Sequence, residues 1–172
     1  MQTIWHSFHR SPAFYSKRLM NRRLCNWLLD RGSLTRRLIE AGEGDFRVEI
    51  LRQGVGTPRC DESRALGLCS RQRALIREVL LYVKGEPWVY ARSVIPCQSL
   101  QGPLAYLKKL DNRPLGALLF RDPGMRRSPI EIGRLPASRV PLAVSGPRWG
   151  RRSVFWLKGK PLLVSETFLY DF

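Results

Sequence analysis

The chain has 172 residues and a mass of 19.9 kDa, 44% of it hydrophobic and 10% aromatic; at that mass about 70% of the extended-chain surface can be buried, which gives one domain with one sizeable core and excludes a disordered chain. Its 30 basic and 14 acidic residues leave a net charge of +16, spread along the whole sequence, and such a field draws anions: nucleic acid, membrane surfaces, or small carboxylates and phosphates. No apolar run approaches the roughly 20 residues of a membrane span, so a membrane-embedded chain is excluded.

Several chemistries fall away at once. The four cysteines, at 25, 60, 69 and 97, have no zinc-ligand spacing and read as free thiols of a reducing cytoplasm. The only histidines, His6 and His9, are N-terminal, which removes Ser-His-Asp and Cys-His catalysis from the body of the chain. Neither phosphate-binding glycine motif is present. Neither a metal site nor nucleotide-dependent chemistry is expected.

Residues 1–15 contain no acid and read as a loosely ordered basic extension, with residues 16–172 forming the domain. Met20, Leu24, Trp27 and Leu28 fall on one helical stripe from Lys17 onward. Gly32 breaks it, and Ser33 caps a second short helix that stops at Gly42. Phe46, Val48 and Ile50 alternate with charges as a half-buried strand. Residues 53–70, with three glycines and Pro58, read as a long loop. Ala74–Val83 and Trp88–Pro96 are β-rich runs joined by a turn at Lys84-Gly85-Glu86-Pro87. Short helices are predicted over Pro103–Leu110 and from Pro114 to Phe120, and a short strand over Pro129–Gly133. A second hairpin joins Arg151–Leu157 to Leu162–Tyr170 through Lys158-Gly159-Lys160-Pro161. A shift of 74 positions lays one hairpin turn on the other, and puts Arg77 on Arg151 and Arg92 on Glu166. The expected class is α+β: a single domain, an antiparallel β-sheet built of hairpins with helices on one side.

Two charges sit where apolar residues belong. Glu166 shares a strand face with Leu162, Val164 and Phe168, and Arg77 lies within Leu75-Ile76-Arg77-Glu78-Val79-Leu80. A charge on an apolar strand face is costly unless it is paired or used. Both readings stand open here: a structural ion pair, or a group that meets a ligand. Leu34 and Leu115 each follow a predicted helix start, where backbone N–H groups are free to meet an anion.

Leu75-Ile76-Arg77-Glu78-Val79-Leu80-Leu81, Gly85-Glu86-Pro87-Trp88, Arg113-Pro114-Leu115-Gly116, Ile130-Glu131-Ile132-Gly133-Arg134, Trp149-Gly150-Arg151-Arg152-Ser153 and Gly159-Lys160-Pro161-Leu162-Leu163 together resemble the chorismate–pyruvate lyase family, in family order from about Leu24 to Tyr170. The resemblance implies a buried ligand pocket covered by helical flaps. It implies a cytoplasmic enzyme without cofactor that cleaves chorismate to 4-hydroxybenzoate and pyruvate, the first committed step toward ubiquinone in bacteria. It places ligand-binding positions on Arg77, Leu115 and Glu166, and on Leu34, where the family commonly has methionine. Ala91 stands where the family has glycine.

Chorismate is a dianion, and its chemistry distributes these residues. Arg77 and the N–H groups of Leu34 and Leu115 are expected at the ring carboxylate, Glu166 at the C4 hydroxyl, and Arg92 at the enolpyruvyl carboxylate. Arg77 and Glu166 are the expected catalytic pair. The chain is expected to act as a monomer, with chorismate and 4-hydroxybenzoate as its partners and no specific nucleic acid. Two rivals remain: a non-catalytic small-acid sensor of the same fold, and a basic nucleic-acid-binding module, for which no recognition motif is present.

Overall fold

The computed structural model of the chain describes residues 3–7, 20–69 and 71–171. Its centre is an eight-stranded antiparallel sheet, formed by β1 (His6–Ser7), β2 (Phe46–Gly56), β3 (Ala74–Val83), β4 (Glu86–Pro96), β5 (Arg126–Arg127), β6 (Glu131–Leu135), β7 (Arg148–Leu157) and β8 (Lys160–Phe168). The order is β1-β6-β7-β8-β4-β3-β2, with β5 also on β7. The four central strands, from the two predicted hairpins, are buried or half-buried along nearly their whole length. They are covered on both faces, which explains why they read as near-continuous apolar runs.

Both hairpin turns place a lysine and a glycine at positive φ: Lys84 and Gly85 at 50° and 80°, Lys158 and Gly159 at 49° and 74°. This is the type I′ turn, whose twist matches that of the strands. The two hairpins then differ by one residue. Register in the second is unbroken from Leu157↔Lys160 to Gly150↔Thr167. In the first it shifts between Leu81 and Tyr82, which pair with Val89 and Pro87 and leave Trp88 as the extra residue of a bulge.

One face of the sheet carries two apolar clusters. The first lies under α1 (Arg22–Leu29) and α2 (Leu34–Ala41) and contains Trp27, Leu28, Leu34, Leu38, Val79, Ala91, Ile132 and Phe168. The second lies under a 3-10 segment, Gly102–Lys109, and α4 (Leu115–Leu119), and contains Leu104, Leu107, Leu115, Leu119, Phe155 and Leu162. Helix α2 starts at the expected cap, Ser33 accepting from Arg36 N–H at 3.4 Å, whereas α1 begins only at Arg22, where Asn21 accepts from Leu24 N–H at 2.7 Å, so Met20 of the expected stripe precedes the helix. The opposite face carries α3 (Cys60–Leu66), so the helices are not confined to one side.

The expected loop at 53–70 is in fact structured. Strand β2 continues to Gly56, and α3 occupies Cys60–Leu66. The Glu62 carboxylate caps the Arg59 N–H at 2.8 Å and Gly67 closes the helix at φ 64°. Side-chain capping of this kind gives a seven-residue helix no apolar period to read. Of the expected N-terminal extension, Thr3–Ser7 includes the edge strand β1, with His6 opposite Ile132; the rest of residues 1–15 lies outside the described residues. All four cysteines are free thiols. Among the described residues no helix is long and apolar enough to cross a membrane.

Candidate active site

Directly opposed residues of an antiparallel pair point to the same face of the sheet, so the register maps the site. One row across the sheet runs Gln53–Arg77–Ser93–Val164–Ser153. The neighbouring row on the same face runs Ile50–Val79–Ala91–Glu166–Arg151–Ile132. The polar members of the two rows, Gln53, Arg77, Ser93, Ser153, Glu166 and Arg151, form a belt beside the apolar clusters, at the seam where the α1–α2 and α4 caps meet. There Thr35 Oγ1 stands 3.0 Å from where a Cβ on Gly116 would lie. That close approach, which glycine permits, brings the starts of α2 and α4 together with their leading residues, Leu34 and Leu115, both buried.

Arg77 is 2% exposed. Its Nη2 donates to the carbonyls of Asp111 (2.8 Å) and Arg113 (3.1 Å), directly before α4. Its buried Nε donates to nothing, and no carboxylate lies within ion-pair distance among the described residues. Burial pushes its pKa down, with only distant help from Asp111. A buried cation with a spare donor and no counter-ion is costly; an anionic ligand supplies both missing partners. Its bonds to the two carbonyls that precede α4 set Arg77 beside the start of that helix, at one end of the seam.

Glu166 lies in the adjacent row, half-buried. Its Oε2 accepts from Arg151 Nε at 2.6 Å, and its other oxygen takes no hydrogen bond among the described residues. Arg151, 1% exposed, also donates through Nη1 to the carbonyls of Trp27 (2.8 Å) and Asp30 (2.7 Å) at the end of α1. Thus Glu166 is anchored by one oxygen to an arginine that also fixes the α1–α2 cap. The first-hairpin counterpart of Arg151 is Arg77, as the repeat suggested. Sequence reasoning left the Arg151–Glu166 partnership open.

Arg92 does not join this site. The bulge at Trp88 shifts β4 by one residue, so Arg77 faces Ser93 and Arg92 turns to the opposite side of the sheet. There its guanidinium is committed to Glu62 (2.6 and 3.0 Å) and Glu78 (2.7 Å), with Tyr90 also donating to Glu78. Burial pulls the Arg92 pKa down, and the two carboxylates more than offset it. The expectation that Arg92 holds the enolpyruvyl carboxylate is corrected on this ground: its face is wrong and its donors are occupied. Arg92→Lys is expected to lose about 1–3 kcal/mol of stability, since a lysine cannot span both carboxylates. Turnover per folded molecule should stay unchanged, as read from thermal melts and activity on one preparation.

Residues 17–171 match the family model described as chorismate lyase. A protein of Methylococcus capsulatus named "probable chorismate pyruvate-lyase" is 45% identical over 150 residues, covering 84% of this chain and 93% of that one. One of the same name from Thiobacillus denitrificans is 46% identical over 157 residues, covering 86% and 83%. Among solved structures, the effector domain of PhnF from Mycobacterium smegmatis shares the fold with a TM-score of 0.57 at 16% identity, over 83% of this chain and 91% of that domain. With a family match over nearly the whole described body and relatives of this identity, the chain belongs to the chorismate lyase family.

Proposed function

We propose that this chain is a lyase that converts chorismate to 4-hydroxybenzoate and pyruvate, a step of ubiquinone biosynthesis, in the seam between the two helical caps. The observation that carries the site assignment is the orphaned Nε of buried Arg77. It suits the ring carboxylate, with the first-turn N–H groups of Leu34 and Leu115 beside it. Glu166, one row away, accepts a hydrogen bond from the C4 hydroxyl on its uncommitted oxygen.

The reaction breaks the C3–O bond and the C4–H bond. The electrons of C4–H complete the aromatic ring, the ether oxygen becomes the carbonyl of pyruvate, and a proton ends on the former methylene. The atoms of chorismate are those of the two products, so no co-substrate is consumed. Aromatisation supplies the driving force, and the protein's task is to hold the dianion in a reactive conformation away from water. A water-filled site is inconsistent with that task; the apolar clusters beside the belt and the caps above it fit it. The reading extends to a cytoplasmic monomer without cofactor.

The test is direct. Purified protein mixed with chorismate is expected to release 4-hydroxybenzoate and pyruvate in equal amounts, followed by ultraviolet absorbance and a coupled lactate dehydrogenase assay. Saturable binding of chorismate without either product would point to the small-acid sensor instead.

A further inference from the structure

Chorismate has a second carboxylate, on the enolpyruvyl group, and with Arg92 on the other face another cation must meet it. The sheet contains six arginines that are buried or half-buried among the described residues: Arg77, Arg92, Arg127, Arg148, Arg151 and Arg152. Four of them have a carboxylate partner: Arg92 with Glu62 and Glu78, Arg148 with Asp171, Arg151 with Glu166, and Arg152 with Glu131 and Asp61. Arg77 and Arg127 have none within ion-pair distance among the described residues. Two unpaired arginines face a substrate with two carboxylates.

The position of Arg127 suits the second one. It pairs with Phe155 across β5 and β7, which puts it on the site face, and its guanidinium lies 5.0 Å from the Phe155 ring centroid. Nε donates to Ser153 Oγ at 3.0 Å and Nη1 to the Arg31 carbonyl, in the α1–α2 turn, at 3.1 Å. Nη2 is left over. Ser153 ends the row that contains Arg77, three strand spacings or about 14 Å away along the sheet, with Ser93 and Val164 between them. Two residues along β7 is Arg151, and beside it Glu166. On chorismate the ether stands on C3, next to the C4 hydroxyl and remote from the ring carboxylate. With that carboxylate on Arg77 and the hydroxyl on Glu166, the enolpyruvyl group lies at the Glu166 end, on the side where Arg127 stands. Arg151 already has its counter-charge, since Glu166 accepts from its Nε at 2.6 Å, whereas Arg127 has no carboxylate within ion-pair distance among the described residues.

We propose that Arg127 is a substrate-binding residue whose guanidinium holds the enolpyruvyl carboxylate of chorismate. The inference rests on the chorismate reading of the site. Because that carboxylate leaves with pyruvate, Arg127 favours substrate over 4-hydroxybenzoate, and so opposes retention of the product. Burial and then the neighbouring Arg151 push its pKa down to about 10, against Glu166 and Asp30; it remains a cation at neutral pH, in surroundings that a bound anion relieves.

The experiment compares a dianion with a monoanion on the same variant. Arg127→Met is expected to lower kcat/KM for chorismate by about 30-fold or more, the scale for removing one partner of a buried charge pair, while the Kd of 4-hydroxybenzoate changes by less than about 3-fold. Parallel losses in both would show that Arg127 only fixes the α1–α2 turn, and no loss in kcat/KM would show that it meets nothing; either result overturns the proposal. If the methionine variant does not fold, Arg127→Lys replaces it. That variant is expected to show a smaller loss in kcat/KM with unchanged product affinity, and parallel or absent changes again overturn the proposal. Wild-type protein in the same assay separates the two levels. If it yields no product, the lyase function falls and this inference with it; if it turns over while the variants match it, only the Arg127 assignment fails.

Discussion

Glu166→Gln is expected to lower kcat/KM for chorismate by roughly 10²–10⁴, the span for a group engaged in proton transfer or its hydrogen-bonded equivalent. The substitution keeps the shape of the side chain and an oxygen that can accept from Arg151 Nε, the 2.6 Å bond that ties β8 to β7. It removes the anion. A neutral amide aimed at the C4 hydroxyl is a weaker acceptor, and it cannot take a proton as the ring aromatises. A purely structural Glu166 makes a different forecast. Arg151 would then be a buried cation without a counter-ion, the melting temperature would fall, and each folded molecule would remain nearly fully active. Melting temperature and chorismate turnover measured on one preparation separate the two, and a destabilised but active variant rejects the role of Glu166 at the reacting end.

What the sequence disclosed and what it withheld follow one physical line. Period-two patterning and Lys-Gly turns located both hairpins, because strand burial and type I′ turns are local properties. The same pattern put Arg77 and Glu166 on inward faces, and the structure has both on one face. Arg92 failed for a reason no pattern of apolar residues displays: a single extra residue at Trp88 reverses every side chain beyond it on β4. The 74-residue repeat encouraged the error, since it aligned Arg92 with Glu166 across hairpins whose registers differ by that one residue. Arg127 was missed because β5 is two residues long, and its place depends on contacts with Ser153 and the Arg31 carbonyl, 26 and 96 positions away. Helix α3 was missed because its ends are fixed by Glu62 and Gly67 rather than by an apolar stripe. Which cation is paired, and which is left for a ligand, is settled by long-range register.

Arg77→Ala is expected to weaken 4-hydroxybenzoate binding by about 2–5 kcal/mol, a factor of about 30 to several thousand in Kd. The argument starts from the free protein. Four of the sheet's enclosed arginines have carboxylates, and Arg77, among the most deeply buried of them, has two backbone carbonyls and a spare Nε. The bound carboxylate provides the counter-charge that the fold withholds, so removing the cation leaves the ligand's anion buried without a partner. Alanine also releases the carbonyls of Asp111 and Arg113, which precede α4, and some of the loss could come through a displaced Leu115 N–H. Benzyl alcohol-type analogues that lack the carboxylate resolve this. If Arg77 acts on the carboxylate, 4-hydroxybenzyl alcohol binds wild type and variant within about 3-fold of one another, whereas 4-hydroxybenzoate does not. If Arg77 acts only by holding α4 in place, both compounds weaken together, and unchanged 4-hydroxybenzoate affinity in a folded variant removes Arg77 from the site altogether.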